Sequence, residues 1–170
     1  PNIQVSWTLN PERIISSVEH KTASLQERLD AAVQCAKAGF RVGFHFDPII
    51  IYDGWQKEYG ELIKEVFNSI SVEGIGWISL GGLRMTKTLR QVIEARFPHG
   101  LLLNAEQIME TDGKIRYPVR VRREIYRTMI EKIKASGYSG ELYLCMEDPE
   151  LNREVGIRSF GCGRAAPCAG

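Results

Sequence analysis

Periods typical of strand and of helix take turns along this chain, and that alternation restricts its fold more than any other feature. Ile3, Val5, Trp7 and Leu9 alternate with Gln4, Ser6, Thr8 and Asn10, a period-2 strand. Asn10-Pro11 then reads as an N-cap followed by proline at the first helical position, where its missing N–H costs nothing. Ser24-Leu25-Gln26-Glu27 is a capping-box pattern opening a helix whose apolar face is Leu25, Leu29, Ala32, Val33 and Ala36, with Gly39 placed to end it. Phe40, Val42, Phe44 and Phe46 alternate with Arg41, Gly43, His45 and Asp47 in a second strand. Asp53 with Gln56 suggests another cap, and Trp55, Tyr59, Leu62, Val66 and Phe67 mark the buried face of the helix that follows.

Gly74 to Leu80 forms a third strand running into Gly81-Gly82, and a helix around Thr88–Phe97 comes next. Asp112-Gly113 between apolar runs signals a hairpin near 101–119. A basic helix is expected from Val121 to Ala135, with Val121, Ile125, Met129 and Ile133 on one side, and a last strand from Glu141 to Met146. Repeated strand–helix–strand units imply parallel strands joined by helical crossovers. The units are too few to close a full (β/α) barrel, so the expected fold class is α/β: a partial (β/α) barrel of parallel strands with outer helices, or a small open sheet, plus the hairpin. Residues 1–148 would form that unit and 149–170 an irregular tail.

With 44% hydrophobic residues there is material for one sizeable core, and the net charge of +1 does not announce a nucleic-acid binder. No apolar run is long enough to span a membrane, and no signal-peptide pattern opens the chain, so a cytoplasmic protein is expected. The opening Pro1-Asn2-Ile3 reads as the start of an excised piece. The four cysteines, Cys35, Cys145, Cys162 and Cys168, show no CxxC spacing; Cys145 reads as a core residue, and the Gly/Ala/Pro context of the last two as a flexible end.

Two places concentrate polar chemistry. In the first two strands Ser6, Thr8, Asn10, His45 and Asp47 share the face opposite the apolar one, and parallel-sheet sites form where strands end. The Gly74, Gly76, Gly81 and Gly82 cluster could bring backbone close to a ligand or simply serve turns; it is neither a Walker loop nor a dinucleotide fingerprint. Between Lys114 and Lys134 lie Lys114, Arg116, Arg120, Arg122, Arg123, Arg127, Lys132 and Lys134, opposed only by Glu124 and Glu131. Tyr117 and Tyr126 interleave with them, suiting phosphate contact with a ring for stacking; a solvated helix face is the plainer reading.

Several segments resemble, in order, the spore photoproduct lyase family of radical S-adenosylmethionine (SAM) enzymes. They are Val5 to Pro11, Glu19 to Ser24 continuing to Leu29, Ala38 to Ile50, Asp112 to Tyr117 and Leu142 to Glu147. The resemblance covers about residues 3–148, the C-terminal half of such an enzyme. It implies a partial (β/α) barrel that uses a 4Fe–4S cluster and SAM, whose 5′-deoxyadenosyl radical takes a hydrogen from the spore photoproduct thymine dimer so that it reverts to two thymines. It also implies that Ser6, Glu19, His45 and Asp47 line the SAM pocket and that Arg116 and Tyr117 meet lesion-bearing DNA; Lys114 and Arg120 of the basic segment join them as DNA-binding candidates. No catalytic residue follows from it.

Radical-SAM chemistry needs a CxxxCxxC triad to hold three irons of the cluster, and this sequence has none. The resemblance places those cysteines in a preceding N-terminal half and leaves this chain inactive alone. A non-catalytic nucleic-acid-binding module and a radical-SAM enzyme with a different substrate are the competing readings.

Overall fold

The computed structural model describes residues 3–157. Four strands, β1 (Gln4–Thr8), β2 (Arg41–Ile49), β3 (Ile75–Gly82) and β7 (Glu141–Leu144), form one parallel sheet in the order β1-β2-β3-β7. Parallel strands in unreversed chain order are a segment of a (β/α) barrel rather than a doubly wound sheet. A second, antiparallel sheet in the order β4-β6-β5 joins β4 (Arg84–Thr86), β5 (Ile108–Met109) and β6 (Lys114–Arg116). The last two are the expected hairpin, turning at Gly113 with φ of 77°, where a side chain would be strained.

The helices are α1 (Glu12–Val18), α2 (Leu25–Lys37), α3 (Trp55–Ser69), α4 (Lys87–Arg96), α5 (Val119–Ala135) and α6 (Pro149–Glu154). Phe44, Phe46, Ile78 and Leu80 from the sheet are buried, as are Leu29, Ala32, Tyr59, Leu62, Val66, Ile125, Met129 and Ile133 from the helices, and all belong to a single core. The Ser24 capping box forms in full, with Ser24 Oγ accepting from Glu27 N and the Glu27 carboxylate accepting from Ser24 N.

Some boundaries differ from expectation. Pro11 is the N-cap of α1, and Asn10 turns its side chain elsewhere, to Glu19 and Tyr59. Gly54 rather than Asp53 caps α3, with φ of 84°. Ile3 lies just before β1 and is 61% exposed, since β1 is the edge of its sheet. The stretch expected as an irregular tail opens with α6, which Asp148 caps by accepting from Glu150 N. Cys162 and Cys168 lie outside the described residues.

Gly43 shows why the strand pattern carries a glycine. Trp77, on the neighbouring strand, lays its ring over it, so a Cβ at Gly43 would stand 2.3 Å from the indole carbons Cε2 and Cζ2. The indole N–H donates to Gln4 Oε1 at 2.7 Å, tying three strands together. Gly43→Ala should displace the ring and lower stability by about 1–3 kcal/mol, the range for overpacking. A reduced urea midpoint with blue-shifted or red-shifted tryptophan emission checks this; an unchanged midpoint would refute it.

Candidate functional site

The parallel register sets a row of polar groups across one sheet face: Thr8 beside His45, His45 beside Ser79, and Ser79 beside Tyr143. His45 Nδ1 lies 2.7 Å from Ser79 Oγ, and the imidazole meets Trp77 edge to face at 4.6 Å between centroids. Desolvation holds the His45 pKa below its ordinary 6.5, outweighing the opposing pull of Asp47. The unfolded chain therefore takes up this proton before the folded one does, and stability should fall as pH drops through about 6.5 toward the lower folded value. Denaturation curves across that window check the trend, which His45→Gln should flatten; an equally steep profile in the variant would exclude His45 as its source.

Nearer the strand ends, Arg84 grips Asp47 with both prongs, Nη1 to Oδ1 at 2.8 Å and Nη2 to Oδ2 at 2.9 Å. Burial disfavours the Arg84 charge, but the hydrogen bond and charge of Asp47 more than offset that and raise its pKa. Gly81 makes room for the pair, because a Cβ there would lie 2.5 Å from the Asp47 carboxyl carbon.

Beyond them opens a cleft of about 730 Å³ at the C-terminal ends of β1, β2 and β3. Ser6, Thr8, Asn10, Glu19, Arg28 and Arg84 supply its polar lining, and Pro48, Ile50, Leu83, Met85, Leu89 and Ile93 its apolar walls. Its size and mixed lining suit a small molecule with both an apolar and a charged part. The α1–α2 loop on its rim is fixed by Arg28. That guanidinium donates to Ala23 O (2.9 Å), Thr8 O (3.0 Å), Thr22 Oγ1 (2.9 Å) and Glu19 Oε2 (2.6 Å). Glu19 Oε1 accepts from Asn10 Nδ2 at 2.8 Å, so both carboxylate oxygens already have partners.

The structure thus brings Ser6 and Glu19 together at one cleft. His45 and Asp47, expected in the same pocket, are not among its lining residues, and Asp47 is tied to it through Arg84. Arg28 and Arg84 were not foreseen as lining. Arg28 had a legible signal, a charge at helical spacing within the buried stripe Leu25, Leu29, Ala32 of α2.

Half of the cations in the basic segment are engaged in ion pairs. Arg116 pairs with Asp112, Arg120 with Glu106, Arg122 with Glu110 and Glu147, and Arg123 with Glu154. Its rings are not available for stacking. Tyr117 and Tyr126 are both fully buried. Tyr117 Oη accepts from Ile51 N at 3.2 Å, and burial lifts its pKa to about 12 even though that bond opposes the rise. Tyr126 donates to Glu147 Oε1 at 2.5 Å and accepts from Gly82 N at 2.9 Å. Lys114 and Arg116 lie on the hairpin strand β6, whose Arg116 pairs in register with Arg84, so the hairpin abuts the cleft. Among the described residues no cluster of His, Cys, Asp and Glu could hold a metal ion, and no helix is long and apolar enough to cross a membrane.

The family model for spore photoproduct lyase matches residues 2–136. The chain belongs to the spore photoproduct lyase family. Its similarity to the enzyme of Clostridium acetobutylicum is 33% identity over 66 residues, 39% of this chain and 20% of that protein. With the Bacillus subtilis enzyme it is 32% over 94 residues, 54% of this chain and 28% of that one. A solved spore photoproduct lyase carrying a cysteine-to-alanine substitution superposes with a TM-score of 0.72 at 27% identity, over 84% of this chain and 44% of its own. Another, with bound AdoMet and dinucleoside spore photoproduct, gives 0.68 at 26% identity, over 82% and 43%. The chain therefore spans less than half the length of these family members, and the family's partial α/β architecture is the one observed.

Proposed function

We propose that this chain is the SAM-pocket and lesion-facing half of a cytoplasmic DNA-repair lyase that reverts spore photoproduct to two thymines. The observation that carries the reading is the rim cleft, which unites Ser6, Glu19 and Arg28 and abuts the hairpin sheet through Arg84. A nucleoside with a charged amino-acid arm needs apolar and polar lining together, and Ile50, Leu83 and Met85 line this cleft along with Ser6 and Thr8.

In this reading Ser6 and Thr8 hydrogen-bond SAM, Glu19 and Arg28 keep the rim loop in place, and His45 and Asp47 support the floor. SAM bound there would supply the 5′-deoxyadenosyl radical that takes a hydrogen from the lesion. The 4Fe–4S cluster does not fit the described residues, which offer no ligand set, and the sequence lacks the cysteine triad. Its ligands would belong to a segment outside these 170 residues. On the DNA side, Lys114 and Arg116 stand at the hairpin and Arg120 at the start of α5, while Tyr117 braces the hairpin from within.

The test is anaerobic turnover by the whole gene product that carries this chain, reconstituted with iron and sulfide and supplied with reductant, SAM and dinucleoside spore photoproduct. The expected result is SAM-dependent release of the repaired dinucleotide, absent for the 170-residue chain alone. SAM cleavage that leaves the lesion intact would point to a different substrate. Salt-sensitive DNA binding with no SAM affinity would overturn the enzyme reading.

A further inference from the structure

The rim loop is held from a second direction, by a residue that never reaches the cleft. Tyr59 lies in α3 and is fully buried. Its hydroxyl accepts from Ile50 N at 3.0 Å and donates to Asn10 Oδ1 at 2.8 Å. Asn10, 1% exposed, then donates Nδ2 to Glu19 Oε1 at 2.8 Å, and Glu19 Oε2 takes the Arg28 guanidinium. We propose that Tyr59 is a positioning residue for the cleft, fixing the orientation of Asn10 and through it the Glu19 wall. The inference rests on the reading of the cleft as the SAM pocket.

The directions of these bonds are forced. A backbone amide can only donate, so the phenol oxygen accepts at Ile50 and sends its one proton to Asn10. That leaves the Asn10 amide nitrogen, and not its oxygen, facing the Glu19 carboxylate. Burial lifts the Tyr59 pKa well above its ordinary value, so the donor persists across the working pH range. Without the hydroxyl, the Asn10 oxygen and the Ile50 amide both lose a buried partner, and the Asn10 side chain is held only from its Glu19 end. The next amide, Ile51 N, is bound by Tyr117, so the stretch leaving β2 carries the cleft wall on one residue and the hairpin on its neighbour.

Tyr59→Phe in the full-length reconstituted enzyme tests this. The expected result is a rise of about tenfold in KM for SAM, the loss of a buried hydrogen bond, with kcat at saturating SAM within about twofold. KM for the dinucleoside lesion should hold steady. An unchanged KM for SAM, or a fall in kcat that tracks the melting temperature, would overturn the role of Tyr59. If Tyr59→Phe is not recovered folded, Asn10→Asp serves instead: it keeps the shape, sets an oxygen against Glu19, and should raise KM for SAM in the same way. An unchanged KM in that variant is equally fatal. Wild-type turnover that does not depend on SAM would overturn the cleft reading and this inference together, whereas SAM-dependent wild-type turnover with unaffected variants overturns only the inference.

Discussion

Arg122→Ala is expected to lower folding stability by about 3–5 kcal/mol, the range for breaking a buried ion pair from one side. Arg122 is 3% exposed, and its Nη1 donates to Glu110 Oε1 at 2.8 Å and to Tyr117 O at 2.6 Å. Its Nε lies 3.3 Å from Glu147 Oε2, on a carboxylate side chain only 4% exposed. Desolvation works against the Arg122 charge, yet the Glu110 hydrogen bond and the Glu147 charge together outweigh it and hold the pKa up. Truncation would remove the neighbouring charge from the Glu147 carboxylate, whose Oε2 has no hydrogen-bond partner, and would free the turn at Tyr117. Arg120→Ala is the control two residues away. Its pair with Glu106 has side chains 69% and 56% exposed, so the loss should be at most about 1 kcal/mol. Urea denaturation of both variants decides the matter. Equal losses would mean that burial does not distinguish the two arginines, and pairing Arg122→Met with Glu147→Leu should recover much of the deficit.

That contrast also explains what the sequence could and could not reveal. Alternation made β1 and β2 legible, β3 showed as a short apolar run ending in Gly81-Gly82 because it is buried along its whole length, and the Ser24 box marked the start of α2 unaided. β4 escaped, being three residues long with a partner some thirty positions on, too short for any period to register. The run of arginines looked like a solvated or DNA-facing surface because a charge count ignores which carboxylates fold onto it. Yet Arg122, Ile125, Tyr126, Met129 and Ile133 fall on one buried helical stripe, a spacing that could have placed Tyr126 inside rather than among the stacking rings. In the site, Ser6 and Glu19 were reachable from strand ends and resemblance, whereas Arg84 depended on a pairing with Asp47 across 37 positions. Tyr59 was legible as core, but its hydroxyl partners lie at the ends of two different strands, Asn10 being 49 positions away.

The largest effect at the cleft itself is expected from Arg28. Its side chain is 10% exposed and faces a Glu19 carboxylate that is 20% exposed, while its remaining donors reach Ala23 O, Thr8 O and Thr22 Oγ1. Arg28→Ala should cost about 3–5 kcal/mol, since it leaves a mostly buried carboxylate without its counter-charge and takes a donor from Glu19 Oε2 and two backbone carbonyls. Arg28→Lys should recover little of this. A lysine carries the charge, but a single ammonium cannot present the fork that spans β1, the loop at Ala23 and the Glu19 carboxylate at once. Thermal melting and SAM affinity of the full-length protein should therefore fall together in both variants, with lysine closer to alanine than to arginine. If Arg28→Lys instead keeps the wild-type melting temperature and SAM affinity, charge alone suffices there. The rim loop would then be held by Tyr59 and Asn10 from the other side, and the fork geometry of Arg28 would be incidental to the cleft.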